Sequence, residues 1–528
     1  MSIVTTSTPS LRDRLLYSTA AVAFVGIIGG FSSAQDQDVT NDPANFAWQR
    51  EAIEHAQRMR GFFDPDSGQQ TTPPVIPTFE TDTDPLGSIA TLQPLGPTQT
   101  SQNAFFANLG TNGRTCFSCH EPQNGWTVSA KGVQDRFEDS HGTDPIFRLV
   151  DGATCPTADI SNIAAKRKAY SLLLKKGLIR IFLPVPPTAQ YRIVSVNDPY
   201  GCNTNPVTGL TTFGLANPTA GIVSVYRRPL PSTNLDFLTT IMWDNREPSL
   251  TSQAVNAALI HAQGMAAPTA DQQQQMVAFE SGLFTAQNRD NNAGHLSAAG
   301  TTGGPDALAN LLPGFFIGIN DPLPGGTPPS FGNPTGKPFT SFVFDPYDAW
   351  SNIGRPGERD EYRRSVARGQ EVFNTVPINI TRVAGFNDTV GVASFPGFCA
   401  TCHDTPDVGN HSRKLGMNIG VTNGGPNNDN PVLDIADLPV FTLLCVAGPL
   451  TGQTYVVTDP GRALISGNCV DIGKTKVPIL RGLASRAPYF HNGSAATLLD
   501  LINFYDERFL IGLTDQQRGD LNAFLEAL

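Results

Sequence analysis

The sequence contains the pentapeptide Cys116-Phe117-Ser118-Cys119-His120, and a second one, Cys399-Ala400-Thr401-Cys402-His403, lies in its last third. Both have the form Cys-x-x-Cys-His, in which two thiols bond the vinyl groups of haem and the histidine becomes an axial iron ligand. With eight Cys and eight His in 528 residues, chance would produce about 0.002 such motifs. A zinc knuckle or a redox-active Cys pair would leave both histidines unexplained. The motifs therefore predict two covalently bound haem c groups.

The composition narrows the class of protein. A chain of 528 residues is long enough for two or three domains. The net charge of −11 and the lack of a basic stripe argue against nucleic acid as a partner. The same charge is compatible with a basic electron donor. Fifty Gly and 42 Pro indicate long ordered loops, for which haem would supply part of the core.

The N-terminus has the pattern of an export signal. Arg12 and Arg14 precede an apolar run from Leu15 to Ile28, and Ser32 and Ala34 fit a cleavage site. The run is short for a membrane span, although an uncleaved anchor is an alternative. We therefore expect residues 1–34 to be a signal peptide and the mature protein to be soluble and periplasmic.

Four cysteines remain outside the haem motifs. In an oxidising compartment, Cys155–Cys202 and Cys445–Cys469 are the economical disulfides, because each pair falls within one expected domain. Four cysteines allow three pairings, so the sequence leaves the others open.

The fold class expected is mainly α, with two cytochrome c-type haem domains and long loop insertions. The N-terminal domain would span residues 35–355 and the C-terminal domain residues 356–528. A helix is expected around Asp360 to Phe373, ahead of the second motif. A closing helix follows Thr514 and Gln517, which form a capping box.

Two long segments interrupt this pattern. A strand is expected at Tyr191 to Val196, within an insertion that starts near Cys155. A Pro/Gly-rich connector from Leu311 to Pro346 should be ordered, because its phenylalanines need burial. These are Phe315, Phe316, Phe331, Phe339, Phe342 and Phe344.

Four stretches together resemble bacterial di-haem cytochrome c peroxidases and the related MauG proteins. They are CFSCHEPQNGWT, MWDNREPSLTSQA, CATCH and KVPILRGLASRAPYFHNGSAATLLDLINFY. Rubber-cleaving di-haem oxygenases share the signature APYxHNGS. The resemblance is dispersed over residues 101–528, and the insertions depart from the smaller peroxidases.

The resemblance implies a division of labour between the haems. The haem at His120 would be catalytic, and the haem at His403 would accept and relay electrons. Trp243 would lie between them and mediate electron transfer.

Tyr505 is implied as a ligand of the C-terminal haem. It lies fourteen residues after His491, where the peroxidases have Met and MauG has Tyr. A phenolate would lower the haem potential relative to a Met ligand. His491 is the rival ligand, and Met417 is a third option.

The catalytic haem departs from the peroxidase pattern. The position of the peroxidases' distal Glu is occupied by Gln263, which cannot transfer protons, whereas His261 two residues earlier can. His141, in a polar loop, matches a movable iron cap in the peroxidases, with an ordinary surface histidine as the alternative. His55, His295 and His411 have no motif context.

The resemblance also implies a calcium ion between the domains. Its ligands would be the side chain of Asn234 and the carbonyl groups of Arg486 and Pro488.

The function expected from these residues is reduction of hydrogen peroxide. A small periplasmic cytochrome c or cupredoxin would supply the electrons. The alternatives are oxidation of a protein or organic substrate, as in MauG or the oxygenases, and a non-catalytic electron-transfer cytochrome. The sequence leaves the oligomeric state open, and a homodimer is one option.

Overall fold

The computed structural model describes residues 72–203, 222–323, 332–354, 356–425 and 432–528, and the backbone of two short strands before them. These residues belong to one compact unit. The expected signal peptide at residues 1–34 and the histidine His55 lie outside the described ranges. The expected division near residue 355 stays a prediction.

Helices are distributed along the whole described chain. They are α1 (Ala130–Ser140), α2 (Ile163–Ala169), α3 (Ser171–Lys176), α4 (Leu250–Ile260), α5 (Ala270–Ser281), α6 (Pro305–Leu311), α7 (Glu358–Thr375), α8 (Asn387–Val390), α9 (Cys399–Cys402), α10 (Ala463–Ser466), α11 (Leu498–Phe509) and α12 (Asp515–Glu526). None of the helices in the described part is both long and apolar enough to cross a membrane.

The strands are short. They are β1 (Phe63–Asp64), β2 (Gln69–Gln70), β3 (Val75–Ile76), β4 (Phe79–Asp84), β5 (Gly87–Leu92), β6 (Thr98–Gln99), β7 (Ile179–Pro184), β8 (Tyr191–Asn197), β9 (Ile222–Arg227), β10 (Phe284–Asp290), β11 (Gly294–His295), β12 (Ile378–Thr381), β13 (Ser394–Gly397), β14 (Gly416–Met417), β15 (Val440–Cys445), β16 (Thr454–Val457) and β17 (Thr475–Lys476). Their main sheets have the orders β11-β10-β5-β4 and β16-β15-β8, and the strands in both sheets pair antiparallel.

The expected mainly helical class is wrong in its proportions. Helices make up 32% of the structure and strands 18%, so the fold is mixed. The insertion that starts near Cys155 contributes β7, β8 and β9, and β8 of the first half pairs with β15 of the second. The strand expected at Tyr191 to Val196 is confirmed as β8.

The two expected helices near the C-terminus are confirmed. The first is α7, and the second is α12, whose capping box joins Thr514 and Gln517. The two helices pack closely: a Cβ atom at Gly369 would lie 1.9 Å from the carbonyl oxygen of Asp520. Phe373 and Phe524, on the facing sides, belong to the largest core of the molecule.

The connector between the halves buries only part of its aromatic surface. Phe344 is 1% exposed, whereas Phe342 is 68% exposed and Phe316 is 36% exposed. Phe331 lies outside the described residues. The expectation of general burial is therefore wrong for Phe342 and Phe316.

Candidate functional site

Each Cys-x-x-Cys-His motif lines its own cavity. The N-terminal cavity is lined by Cys116, Cys119 and His120. The C-terminal cavity is lined by both cysteines and the histidine of the second motif. In each motif a helical turn brings the three side chains together, because the histidine N–H donates to the carbonyl of the first cysteine.

The motif histidines are oriented in the same way. His120 Nδ1 donates to the carbonyl of Trp126 at 2.9 Å, and His403 Nδ1 donates to the carbonyl of Gly409 at 2.6 Å. Each bond fixes the tautomer and leaves Nε2 without a proton. Burial lowers the pKa of both imidazoles to about 4, so both are neutral at pH 7.

This donor set fits covalent haem. The four motif cysteines carry no disulfide, and each pair lines the same cavity as an imidazole whose Nε2 can bind a metal. His120 and His403 would hold the two irons, and the thiols would form the thioether bonds.

Trp243 lies in the wall that the two cavities share. The shared lining consists of Arg228, Pro229, Leu230, Pro231 and Trp243. The indole Nε1 donates to the carbonyl of Arg228 at 2.9 Å, which fixes the ring within this wall. Trp243 thus lies between the two cavities, and its role as an aromatic bridge stays a prediction.

The turn that carries Trp243 is held by buried charges. Met242 has a left-handed backbone with φ of 66°, which is unfavourable for its side chain. Asp244 is fully buried, and its carboxylate accepts hydrogen bonds from Arg227 and from Arg246. These contacts stabilise an otherwise strained turn.

Tyr505, on α11, lines the C-terminal cavity close to its cysteines. Burial raises the pKa of the phenol, and the thiols of Cys402 and Cys399 raise it further. A ferric iron at this position would reverse that balance, since a cation stabilises the phenolate.

The rival ligands line the same cavity. His491 packs edge-on against Trp243, with ring centroids 6.0 Å apart, and its Nε2 lies 3.6 Å from Asp459. Met417 is buried in β14. His491 therefore faces a carboxylate and the shared wall, whereas Tyr505 lies within electrostatic reach of both cysteines.

The N-terminal cavity contains a histidine–carboxylate pair. His261, the residue after α4, donates from Nδ1 to Asp151 at 2.5 Å, and Asp151 also accepts from Arg114 at 2.5 Å. Arg114 is anchored further by the carbonyls of Pro145 and Ile146. Arg114, Asp151 and His261 all line the cavity. The pair leaves His261 Nε2 as the ring nitrogen available there.

Asp151 is held as a carboxylate. Its burial alone would raise its pKa, but Arg114 and His261 outweigh that effect and lower it to about 2. The ionised oxygen fixes the orientation of His261.

Gln263 and His141 are not brought to the cavity. Gln263 has a left-handed backbone with φ of 56°, and its side chain is exposed. His141 ends α1 with φ of 52° and is also exposed. Neither lines the N-terminal cavity, so we remove Gln263 from the catalytic set and His141 from the iron ligands of this conformation.

The cavity also contains groups that sequence reasoning missed. Glu280, on α5, is buried, and burial raises its pKa to about 7 against a hydrogen bond from Ser232. The Ser232 hydroxyl lies 3.1 Å from His120 Nδ1, so this carboxyl sits behind the proposed iron ligand. Arg246 belongs to the MWDNRE stretch, which was the only sequence signal for it.

The predicted calcium ligands do not form a cation site. The Asn234 amide donates to the carbonyl of Thr285 and accepts from its N–H, at 2.8 and 2.9 Å. The carbonyl of Arg486 accepts from Arg228 at 2.7 Å, and Pro488 lines the C-terminal cavity instead. Among the described residues, no three His, Cys, Asp or Glu are grouped to hold a metal. These residues do not fit calcium.

The remaining cysteines behave differently from one another. Cys445 and Cys469 form the expected disulfide. Cys155 and Cys202 are buried in mutual contact but remain two thiols, so the second expected disulfide is not formed in this structure.

Comparison with known proteins identifies distant relatives. No protein-family model matches the chain. The cytochrome-c peroxidase IdrP1 of Denitromonas iodatirespirans is 31% identical over 151 residues, 26% of this chain and 39% of that protein. IdrP2 of the same organism is 33% identical over 140 residues, which are 25% of this chain and 36% of that protein. IdrP1 of Pseudomonas sp. (strain SCT) is 26% identical over 194 residues, which are 35% of this chain and 44% of that protein.

A solved structure, a MauG-like protein associated with microbial copper homeostasis, is 17% identical, with a TM-score of 0.30 over 58% of this chain and 74% of that one. The chain spans about two fifths of the length of the curated relatives. It is a distant homologue of the di-haem cytochrome c peroxidases.

Proposed function

We propose that this chain is a periplasmic di-haem c-type oxidoreductase that reduces hydrogen peroxide. Electrons would pass from the C-terminal to the N-terminal cavity. The observation that supports this best is the pair of Cys-x-x-Cys-His cavities with Trp243 in their common wall. When bound, the haems would supply one iron that accepts oxidant and one that relays electrons.

His261 is the proton-transfer group in this proposal. Asp151 holds its Nδ1, so Nε2 can take a proton from one peroxide oxygen and return it to the other. Arg114 keeps Asp151 ionised, and this fixes the imidazole during the transfer. The pair replaces the carboxylate that the peroxidases carry at the position of Gln263.

Trp243 and Tyr505 have supporting roles. The Trp243 ring is held at a fixed position between the cavities by its bond to the carbonyl of Arg228. Tyr505 would bind the C-terminal iron, and a phenolate ligand favours the oxidised state. A small cytochrome c or cupredoxin is the proposed electron donor, and residues 1–34 are the proposed export signal.

A second candidate is oxidation of a protein or organic substrate. Tyr505 favours it, because a haem of low potential donates electrons readily and can hold oxidising equivalents. An electron-transfer cytochrome is the rival without catalysis. In that case His261 would close the N-terminal iron, and the reduced protein would not bind carbon monoxide.

The proposal is tested with the holoprotein, reduced and mixed rapidly with hydrogen peroxide. Hydrogen peroxide should oxidise the reduced wild-type protein much faster than it oxidises reduced free haem. His261→Gln should slow oxidation by about 10² to 10⁴, the usual contribution of a general acid–base. His141→Gln is the matched control and should keep the wild-type rate, since this side chain is exposed. Equal rates for wild type and His261→Gln would contradict the assignment.

A further inference from the structure

Three cationic side chains line the C-terminal cavity. They are Arg228, Lys476 and Arg486. Arg228 is 6% exposed and Lys476 is 5% exposed. Buried cations are costly unless an anion compensates them.

Among the described residues, no carboxylate pairs with these three cations. Arg228 donates to the carbonyls of Lys176, Val128 and Arg486, and Arg486 donates to the carbonyl of Ile479. The ammonium of Lys476 has no hydrogen bond or ion pair to any residue in the described ranges. The hydrogen-bond acceptors of the two guanidinium groups there are therefore neutral carbonyl groups.

Arg227, which precedes Arg228, is a buried cation whose charge is compensated by carboxylates. Arg227 is equally buried, and its guanidinium binds the carboxylates of both Asp244 and Asp459. Its pKa is raised as a result, although burial acts in the other direction. Arg228, the next residue, donates to three carbonyl groups and has no carboxylate partner among the described residues.

The pKa values of these three cations are lowered, as expected for buried cations without a neighbouring anion. Burial and the nearby charge of Arg486 together lower the pKa of Lys476 to about 7. Burial likewise lowers the pKa of Arg228 to about 9 and that of Arg486 to about 10. The polypeptide alone thus leaves a cationic wall that an anion would stabilise.

We propose that Arg228, Lys476 and Arg486 bind the propionate carboxylates of the haem attached at Cys399 and Cys402. The inference rests on the proposed haem content. The vinyl groups that bond the cysteines and the propionates lie on opposite edges of the macrocycle, so the propionates point away from the thiols. Two carboxylates among three cations give charge-assisted hydrogen bonds, and a guanidinium can bind one in a bidentate manner.

Two members of the cluster, Lys476 and Arg486, also lie where the resemblance implied a calcium ion. The small cavity beside Asn234 is lined by Lys476, Arg481 and Arg486, so its walls are cationic and repel Ca²⁺. The carbonyl of Arg486, an expected calcium ligand, is instead bound by Arg228. Protein side chains would supply the positive charge between the halves.

The experiment uses holoprotein with its covalent haem counted. Lys476→Met should shift the propionate bending band in the resonance Raman spectrum. It should also lower the midpoint potential of the C-terminal haem, because a nearby cation favours the reduced iron. Lys476→Arg should restore both. The wild type should hold no calcium after dialysis and should keep its spectrum in chelator.

Lys474→Met is the matched control. Lys474 lies two residues away, is also buried, and pairs with Asp388 and Asp471, so neither readout should change. If Lys476→Met does not fold, the same band and midpoint potential are measured on Arg486→Gln, and these values together with the calcium measurement test the inference. An unchanged band and potential in the variant, or a bound calcium whose removal alters the spectrum, would overturn the inference. A chain without covalent haem refutes the proposed function as well, whereas two haems with an unchanged band refute this inference alone.

Discussion

Replacing Asp151 with Asn tests the charge arrangement of the N-terminal cavity. The substitution keeps the size of the side chain and removes its charge. Asp151 is 1% exposed and is bonded to both Arg114 and His261. The variant would therefore leave Arg114 buried without an anion.

The expected cost follows from the pKa. Asp151 has a pKa of about 2 in the folded protein against 3.8 ordinarily, which corresponds to roughly 2 to 3 kcal/mol of stability at neutral pH. Removing one partner of a buried ion pair typically costs roughly 3 to 5 kcal/mol, because the other charge is left uncompensated. We expect Asp151→Asn to lower the free energy of unfolding by about 3 kcal/mol.

The pH dependence has a defined sign. Because the folded pKa is depressed, the contribution of Asp151 is fully present above pH 3.8. It is lost as the pH falls through about 2. That contribution should thus be the same at pH 7 and pH 5 and smaller at pH 3.

The assay is urea unfolding of the holoprotein, followed by circular dichroism. Asp135→Asn is the control, since Asp135 pairs with Lys131 on the exposed surface of α1, where an ion pair adds little. Its unfolding midpoint should match the wild type. If Asp151→Asn were as stable as wild type at pH 7, the buried pair would not stabilise the fold, and the reasoning would be refuted.

Two further substitutions test the relay between the cavities. Trp243→Phe removes the indole that donates to the carbonyl of Arg228. It should slow electron transfer between the haems without changing either midpoint potential, and flash photolysis of the half-reduced protein measures this. Tyr505→Phe should raise the midpoint potential of the C-terminal haem and abolish phenolate-to-iron absorption. If the wild type showed no phenolate-to-iron absorption and His491→Gln, instead of Tyr505→Phe, changed the midpoint potential, His491 would be the ligand.

Local patterns in the sequence predicted the parts of the fold that depend on neighbouring residues. Each Cys-x-x-Cys-His pentapeptide contains all the residues that predict covalent haem attachment. The capping box at Thr514 fixes the start of α12. The alternating strand at Tyr191 was also readable. Its partner β15 was not, since the two strands are separated by more than two hundred residues and their pairing depends on the tertiary fold.

The site residues were predicted wrongly where the backbone conformation decides the direction in which a side chain points. Counting residues from a family motif placed Gln263 in the cavity, but its left-handed backbone turns the side chain to solvent. The adjoining α4 carries His261 inward instead. Asp151 had no signal, because it meets His261 across 110 positions of sequence. A motif therefore located the region, and the fold selected the residue.

The two cavities carry the same haem motif but different polar groups, and this difference gives the proposed direction of electron flow its physical basis. The N-terminal cavity contains His261 with Asp151, and Glu280 behind the motif histidine, so protons can be exchanged there. The C-terminal cavity contains the cations Arg228, Lys476 and Arg486 and no carboxylate. Peroxide reduction consumes protons together with electrons, whereas an electron relay needs none. In the proposed function, proton chemistry therefore belongs to the first cavity, and the electrons that it consumes would come from the second.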